Sequence, residues 1–263
     1  MKKNYFFGKY YKFISDNNYT FAVILSENHD GYMAQLITPE ASYTVNNPHD
    51  IMLIGQRMHF NVKQDDLTIT GDISFNKLHP LKKKVMGPFS IFKMQCRHDI
   101  YSMYHYVDGE VTINGKKHVF NNARGYIEGD SGSSFPTHYL WYNSLLDRQT
   151  VTLAIATIPF GLINFTGLLC FIKVKGKEYR FATYNGAKII SKEKDRIEIK
   201  KGKYRFIVDI TFKEGHDLKA PVEGNMTRII KENIIVPTSY KLYKKDNLIL
   251  EATDDLSSYE YVY

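Results

Sequence analysis

The chain has 263 residues, of which 43% are apolar, 24% charged and 14% aromatic, enough to build one large or two small cores and too apolar for a disordered segment. Thirty-five Lys and Arg against 28 Asp and Glu leave a net charge of +7, modest for a dedicated nucleic-acid binder and suited to contact with an anionic membrane surface. Twenty Tyr and 16 Phe favour strands and exclude an all-helical bundle.

In chain order, Lys2-Lys3 is followed only by Tyr5 to Phe7 before Gly8 and Lys9, too short an apolar run for a signal peptide, so a cytoplasmic location is expected. Leu67, Ile69, Gly71, Ile73 and Phe75 alternate with Thr68, Thr70, Asp72 and Ser74, the period of a half-buried strand. Tyr204, Phe206, Val208, Ile210 and Phe212 repeat the pattern. Hairpin or strand connections are predicted at Asn28 to Gly31, Gln64 to Asp66, Val107 to Gly109, Ile113 to Gly115 and Lys201-Gly202, where Asn-Gly and Asp-Gly supply positive φ. Gln149 to Ile172 carries no formal charge and is long enough to span a bilayer. Its Pro159, Gly161, Asn164 and Gly167 instead read as turn chemistry between two buried strands. Gly224 to Asn233 is expected to form a short helix or a connecting loop.

Lys82-Lys83-Lys84, Lys173/Lys175/Lys177 and the acid-interrupted stretch Lys192 to Lys203 read as solvated strand edges and not as a nucleic-acid groove. Cys96 and Cys170 form no CxxC pair, so they are expected to be packed thiols. The expected fold is all-β and antiparallel, with few helices.

The densest chemistry lies between Gly87 and Asn143. On an extended strand Tyr126, Glu128 and Asp130 share one face, placing two carboxyls and a phenol along one wall. A carboxyl buried there would hold its proton and could donate it. Gly129, Ser131, Gly132 and Ser133 equally fit a surface loop with a solvated carboxylate. His98 and His105 are seven positions apart, an odd offset that puts them on opposite sides of one strand and argues against a shared metal. Gly129-Asp130-Ser131-Gly132 matches a serine-protease nucleophile loop over four residues only, and the glycines at 125, 129 and 132 do not form a dinucleotide-binding turn.

Gly125-Tyr126-Ile127-Glu128, Asp130, Gly132, Ser134-Phe135-Pro136, Trp141 and Asn143 resemble the signature of the tocopherol cyclase family. Cys96-Arg97-His98, Ser102-Met103 with His105, Ile158-Pro159-Phe160 and Gly176 to Tyr184 are similar to bacterial members, so the resemblance spans roughly residues 5 to 215. Gly129 and Ser131 stand where the family has Lys and Trp. The resemblance implies a lipocalin-like (calycin-type) architecture related to carotenoid hydratases and AttH-like proteins, with two β-barrels packed together; the expected halves are 1–145 and 146–263, or one intertwined domain. It implies an apolar isoprenoid or lipid ligand and no cofactor, and the histidine spacing leads to no expected metal. The implied reaction is acid-initiated cyclisation of a prenylated quinol: Asp130 or Glu128 protonates a double bond and a hydroxyl adds to the cation. Tyr126, His98 and His105 would orient or accept protons. Trp141 and Phe135 would wall the cavity, with Ser134, Ser102, Asn143 and Tyr104 as further substrate contacts. Hydration of the double bond and simple carriage of the ligand are the alternatives.

Overall fold

The computed structural model describes residues 4–92, 94–160 and 163–263. They form two antiparallel sheets. The first contains β1 (Phe6–Ile14), β2 (Thr20–Asn28), β3 (Gly31–Ile37), β4 (Ser42–Thr44), β5 (Ile51–Ile54), β6 (Arg57–Gln64), β7 (Leu67–Asn76), β8 (Cys96–Ile113) and β9 (Lys116–Gly132), in the order β4-β3-β2-β1-β9-β8-β7-β6-β5. The second contains β10 (Tyr139–Leu146), β11 (Gln149–Phe160), β12 (Ile163–Val174), β13 (Lys177–Ala182), β14 (Lys188–Lys192), β15 (Arg196–Lys201), β16 (Tyr204–Ile210), β17 (His216–Val222), β18 (Asn225–Lys244) and β19 (Asn247–Val262). Its order is β13-β12-β11-β10-β19-β18-β16-β15-β14, with β17 also paired to β18. The chain passes from one sheet to the other between Gly132 and Tyr139.

The expected all-β, antiparallel architecture is borne out, with only short 3-10 turns such as Gly87–Ile91 besides the strands among the described residues. Neither sheet closes into a hydrogen-bonded barrel among these residues, because each ladder path has two ends. Each nevertheless wraps its own core. Tyr11, Phe13, Phe21, Leu36, Phe60, Ile69, Val107 and Ile127 meet in the first. Leu153, Cys170, Phe181, Ile199, Phe206 and Leu242 meet in the second. Burying each such side chain contributes about 1.5–3 kcal/mol.

A third core joins the sheets and follows from the period of two. On β1 Tyr11 and Phe13 point into the first core, so Tyr10, Lys12 and Ile14 point to the joint. On β9 Ile127 points inward while Tyr126 and Glu128 face the joint. On β10 Leu140 and Tyr142 enter the second core, leaving Tyr139, Trp141 and Leu145 for the joint. Strands buried on both faces read as near-continuous apolar runs.

The alternating runs at 67–75 and 204–212 form β7 and β16, the latter ending at Ile210. Gln149 to Ile172 forms the paired strands β11 and β12; Pro159, Asn164 and Gly167, expected in turns, lie within the ladder, where Pro159 faces Asn164 and Gly167 faces Ala156, while Gly161 lies outside the described residues, as does the Lys2-Lys3 segment. No helix among the described residues is long and apolar enough to cross a membrane. Two further expectations are corrected. Val107 to Gly109 is no hairpin turn: β8 runs through it, with a ladder irregularity between Val107 and Gly109. Gly224 to Asn233 is neither helix nor connecting loop; after a turn at Gly224 it begins β18, paired with β17. There Glu232 points inward and Ile229 outward, which scrambles the apolar period that marks a strand.

Candidate active site

A cavity of about 180 Å³ lies in the joint. Its walls come from both sheets: Phe6, Tyr10 and Ile24 from the first, Trp141, Ala154 and Leu168 from the second, with Met86, Phe89 and Met94 from the β7–β8 connection. The lining is mostly apolar. A dry cavity of about 150 Å³ admits benzene, so this one takes a ring-sized apolar group.

The polar groups gather on one side. Tyr126, Glu128 and Asp130 share a face of β9, as alternation requires, and His98 stands across the β8–β9 ladder in register with Asp130. His98 donates through Nδ1 to Asp130 Oδ1 at 3.0 Å, and its Nε2 lies 3.5 Å from Glu128 Oε2. Glu128 Oε2 also accepts from Tyr126 Oη at 2.5 Å and from Trp141 Nε1 at 3.1 Å. Cys96 Sγ donates to Asp130 at 3.6 Å.

Opposing effects set the protons. Burial pushes the Glu128 carboxyl up and the Asp130 carboxylate adds to it; the His98 cation and the two hydrogen bonds pull it down, and burial prevails, leaving it at about 7. For His98 the balance reverses. Burial disfavours the cation, but the Asp130 and Glu128 carboxylates outweigh it and raise the imidazole to about 9. Near neutral pH the site therefore holds an imidazolium beside a carboxyl poised between its two states. Burial and the neighbouring Glu128 carboxylate raise the Tyr126 phenol well above its ordinary value, so it keeps its proton and orients Glu128.

His98, Glu128 and Asp130 offer donor atoms within 4.8 Å of one another, a spacing a metal ion could bridge. Both His98 nitrogens already face a carboxylate, so the three groups satisfy one another as an ion-pair cluster.

Of the residues expected to act, Glu128, Asp130, His98, Trp141 and Phe135 line the cavity. Tyr126 stands directly behind Glu128. The others lie elsewhere. His105 is fully buried beside Phe75, with ring centroids 5.6 Å apart, in the first sheet's core. Ser102 accepts from the His79 backbone N–H and donates to Tyr104 O, bracing the β7–β8 connection. Asn143 donates to Val151 O and Ser134 accepts from Glu223 N. Tyr104 donates to Asp147 at the edge of a separate surface cleft. Gly129 has no room for the family's Lys: a Cβ there would lie 2.7 Å from Gly8 O.

Sequence reasoning missed Tyr10, Tyr139, Glu232 and Glu260. Tyr10 Oη donates to Glu232 Oε1 at 2.6 Å, and Tyr139 Oη donates to Glu260 Oε2 at 2.6 Å. Tyr10 and Glu232 are 222 positions apart, so no local pattern joins them.

No family model matches the sequence, and neither does any curated protein. Solved structures match in fold. A kievitone hydratase from Nectria haematococca aligns over 97% of this chain and 88% of its own, with TM-score 0.57 and 11% identity. A putative AttH protein from Nitrosomonas europaea aligns over 98% and 92%, with TM-score 0.54 and 9% identity. CghA, solved with Sch210972, aligns over 98% and 88%, with TM-score 0.63 and 7% identity. The narrower tocopherol cyclase resemblance rests on the sequence block alone. The chain has the nearly all-β, lipocalin-like fold seen in the hydratase, the AttH protein and CghA.

Proposed function

We infer that the protein is an enzyme that adds an O–H group across a carbon–carbon double bond of an apolar, isoprenoid-like substrate held between the sheets. The observation that carries this reading is the Glu128 carboxyl, buried against an apolar cavity and oriented by Tyr126, Trp141 and His98. Of the two carboxyls considered for the acid, Glu128 is the better placed: its side chain is 7% exposed against 23% for Asp130, and burial raises it towards the protonated state. The Glu128 proton goes to one alkene carbon, whose π electrons form the new C–H bond. The adjacent carbon becomes a cation, for which the aromatic rings lining the cavity, Trp141 and Tyr10 among them, supply cation–π attraction. A hydroxyl oxygen then forms the C–O bond and releases its proton to a base. With the substrate's own hydroxyl the product is a ring, and with water it is an alcohol. The fold's occurrence in a hydratase supports the same class of chemistry.

The test is incubation of the purified protein with a prenylated quinol and with a hydroxyl-free polyene, following product and retained ligand together. Glu128→Gln is expected to lose turnover by at least about 100-fold while still retaining ligand. Retention without turnover in the unaltered protein refutes the enzyme reading and makes the protein a carrier.

A further inference from the structure

The geometry points to Tyr10, backed by Glu232, as the base that receives the hydroxyl proton in the reaction begun by Glu128. This deepens the proposed function and rests on it.

Tyr10 and Glu128 are direct partners across the β1–β9 ladder, so both side chains leave the sheet toward the cavity side by side. Trp141 adjoins both: its ring meets Tyr10 edge-on at 5.3 Å, and its N–H bonds Glu128. A substrate lying on Trp141 thus has an acid and a phenol as neighbours. The phenol donates to Glu232 Oε1 at 2.6 Å and lies 3.2 Å from Ser258 Oγ. This leaves an oxygen lone pair to accept from a substrate hydroxyl.

Glu232 is fully buried, and its Oε2 has no hydrogen-bond partner among the described residues. A carboxylate oxygen buried without a donor costs free energy that a proton removes. The groups facing it are Tyr10 and Lys12 from β1, Glu128 from β9, Ser258 and the ladder partner Glu260 from β19, and the ladder partner His216 from β17. Lys12 spends its own hydrogen bond on Leu256 O at 2.6 Å. Burial raises Glu232 to about 7, against the pull of the Tyr10 hydrogen bond and of Lys12, and Glu128 repels it further. Burial and the neighbouring Glu232 raise Glu260 well above the ordinary carboxyl range, so it keeps its proton, and Glu128 and Glu232, which repel each other, divide a further proton between them.

The working state has Glu128 protonated and Glu232 ionised. Glu128 gives its proton to carbon. As the C–O bond forms, the hydroxyl proton passes to the Tyr10 oxygen while the Tyr10 proton passes to Glu232. The O–H bond breaks, C–H and C–O bonds form, and the net transfer moves one proton from Glu128 to Glu232. His98 does not compete for this task, since as an imidazolium held by the Asp130 carboxylate and facing Glu128 it has no free lone pair. Tyr10 is the catalytic residue and Glu232 the positioning residue behind it.

The test uses the full chain and a prenylated quinol, with rates from pH 5 to 9. Tyr10→Phe keeps the ring against Trp141 and is expected to lower kcat by about 10- to 100-fold with KM within about twofold. Glu232→Gln is expected to lower kcat and to abolish the fall in rate on the acid side, which a merely structural role would not do. Circular dichroism establishes that both variants fold. If Glu128→Gln is inactive while Tyr10→Phe retains wild-type kcat and Glu232→Gln keeps the acid limb, this inference is overturned and the proposed function stands. Absence of turnover in the unaltered protein overturns both.

Discussion

His105 offers a stability measurement that needs no substrate. Its imidazole is wholly buried, and neither ring nitrogen has a hydrogen-bond partner among the described residues. Burial, with repulsion from His79 second, lowers it to about 3, whereas in the unfolded chain it titrates near its ordinary value of about 6.5. The folded state thus excludes a proton that the unfolded state takes up. Stability is intact above pH 6.5, falls as pH drops below that value, and stops falling below about 3. At pH 5 the loss from this one group is about 2 kcal/mol. The raised Glu128 and Glu232 carboxyls act with the opposite sign, since the folded state binds their protons more tightly. They are common to the protein and to His105→Phe, so the comparison removes them. Urea unfolding at pH 7.5 and pH 5.0 should show the unaltered protein losing about 2 kcal/mol more than His105→Phe between the two conditions. Equal losses would refute the assignment of a buried neutral imidazole.

Three further outcomes are expected. Trp141 is the chain's single tryptophan and bonds Glu128 at 3.1 Å, so its fluorescence should titrate with a midpoint near the Glu128 value of about 7 and lose that transition in Glu128→Gln; a flat profile would count against the bond. His98→Asn removes the cation that pulls Glu128 down, so Glu128 should stay protonated to higher pH, and the alkaline limb of the rate profile should move up; an unmoved limb contradicts the ion pair. Gly125→Ala places a Cβ 2.2 Å from His105 Nε2, and calorimetry should record a loss of about 1–3 kcal/mol; an unchanged melting temperature would show that the ring can move aside.

The legible parts of this fold are those where one strand face is wet. β7 showed itself because Thr68 and Thr70 alternate with Ile69 and Gly71 against a single core. β18 hid itself because Glu232 occupies an inward position and Ile229 an outward one, and no period survives that exchange. The shared face of Tyr126, Glu128 and Asp130 followed from geometry along one strand; His98 and His105 also diverge, but across two ladder irregularities between Ile100 and His105 that alternation alone does not encode. The hydrogen bond from Tyr10 to Glu232 joins β1 to β18, and nothing local encodes such a meeting. Asn143 and Ser134 carried the family pattern as strongly as Trp141 did, yet their side chains bond the backbone of neighbouring segments. A signature block records what holds a loop in place as well as what touches a ligand.

The change of sheet between Gly132 and Tyr139 bears on how this molecule can be taken apart. Glu128 and Trp141 stand 13 positions apart on opposite sides of that crossing, while their supporting partners arrive from the far ends of the sequence. Severing the crossing would therefore yield two fragments, each with an oily flank and half a proton-handling centre. Neither piece could be expressed, grafted or exchanged by itself with its chemistry intact.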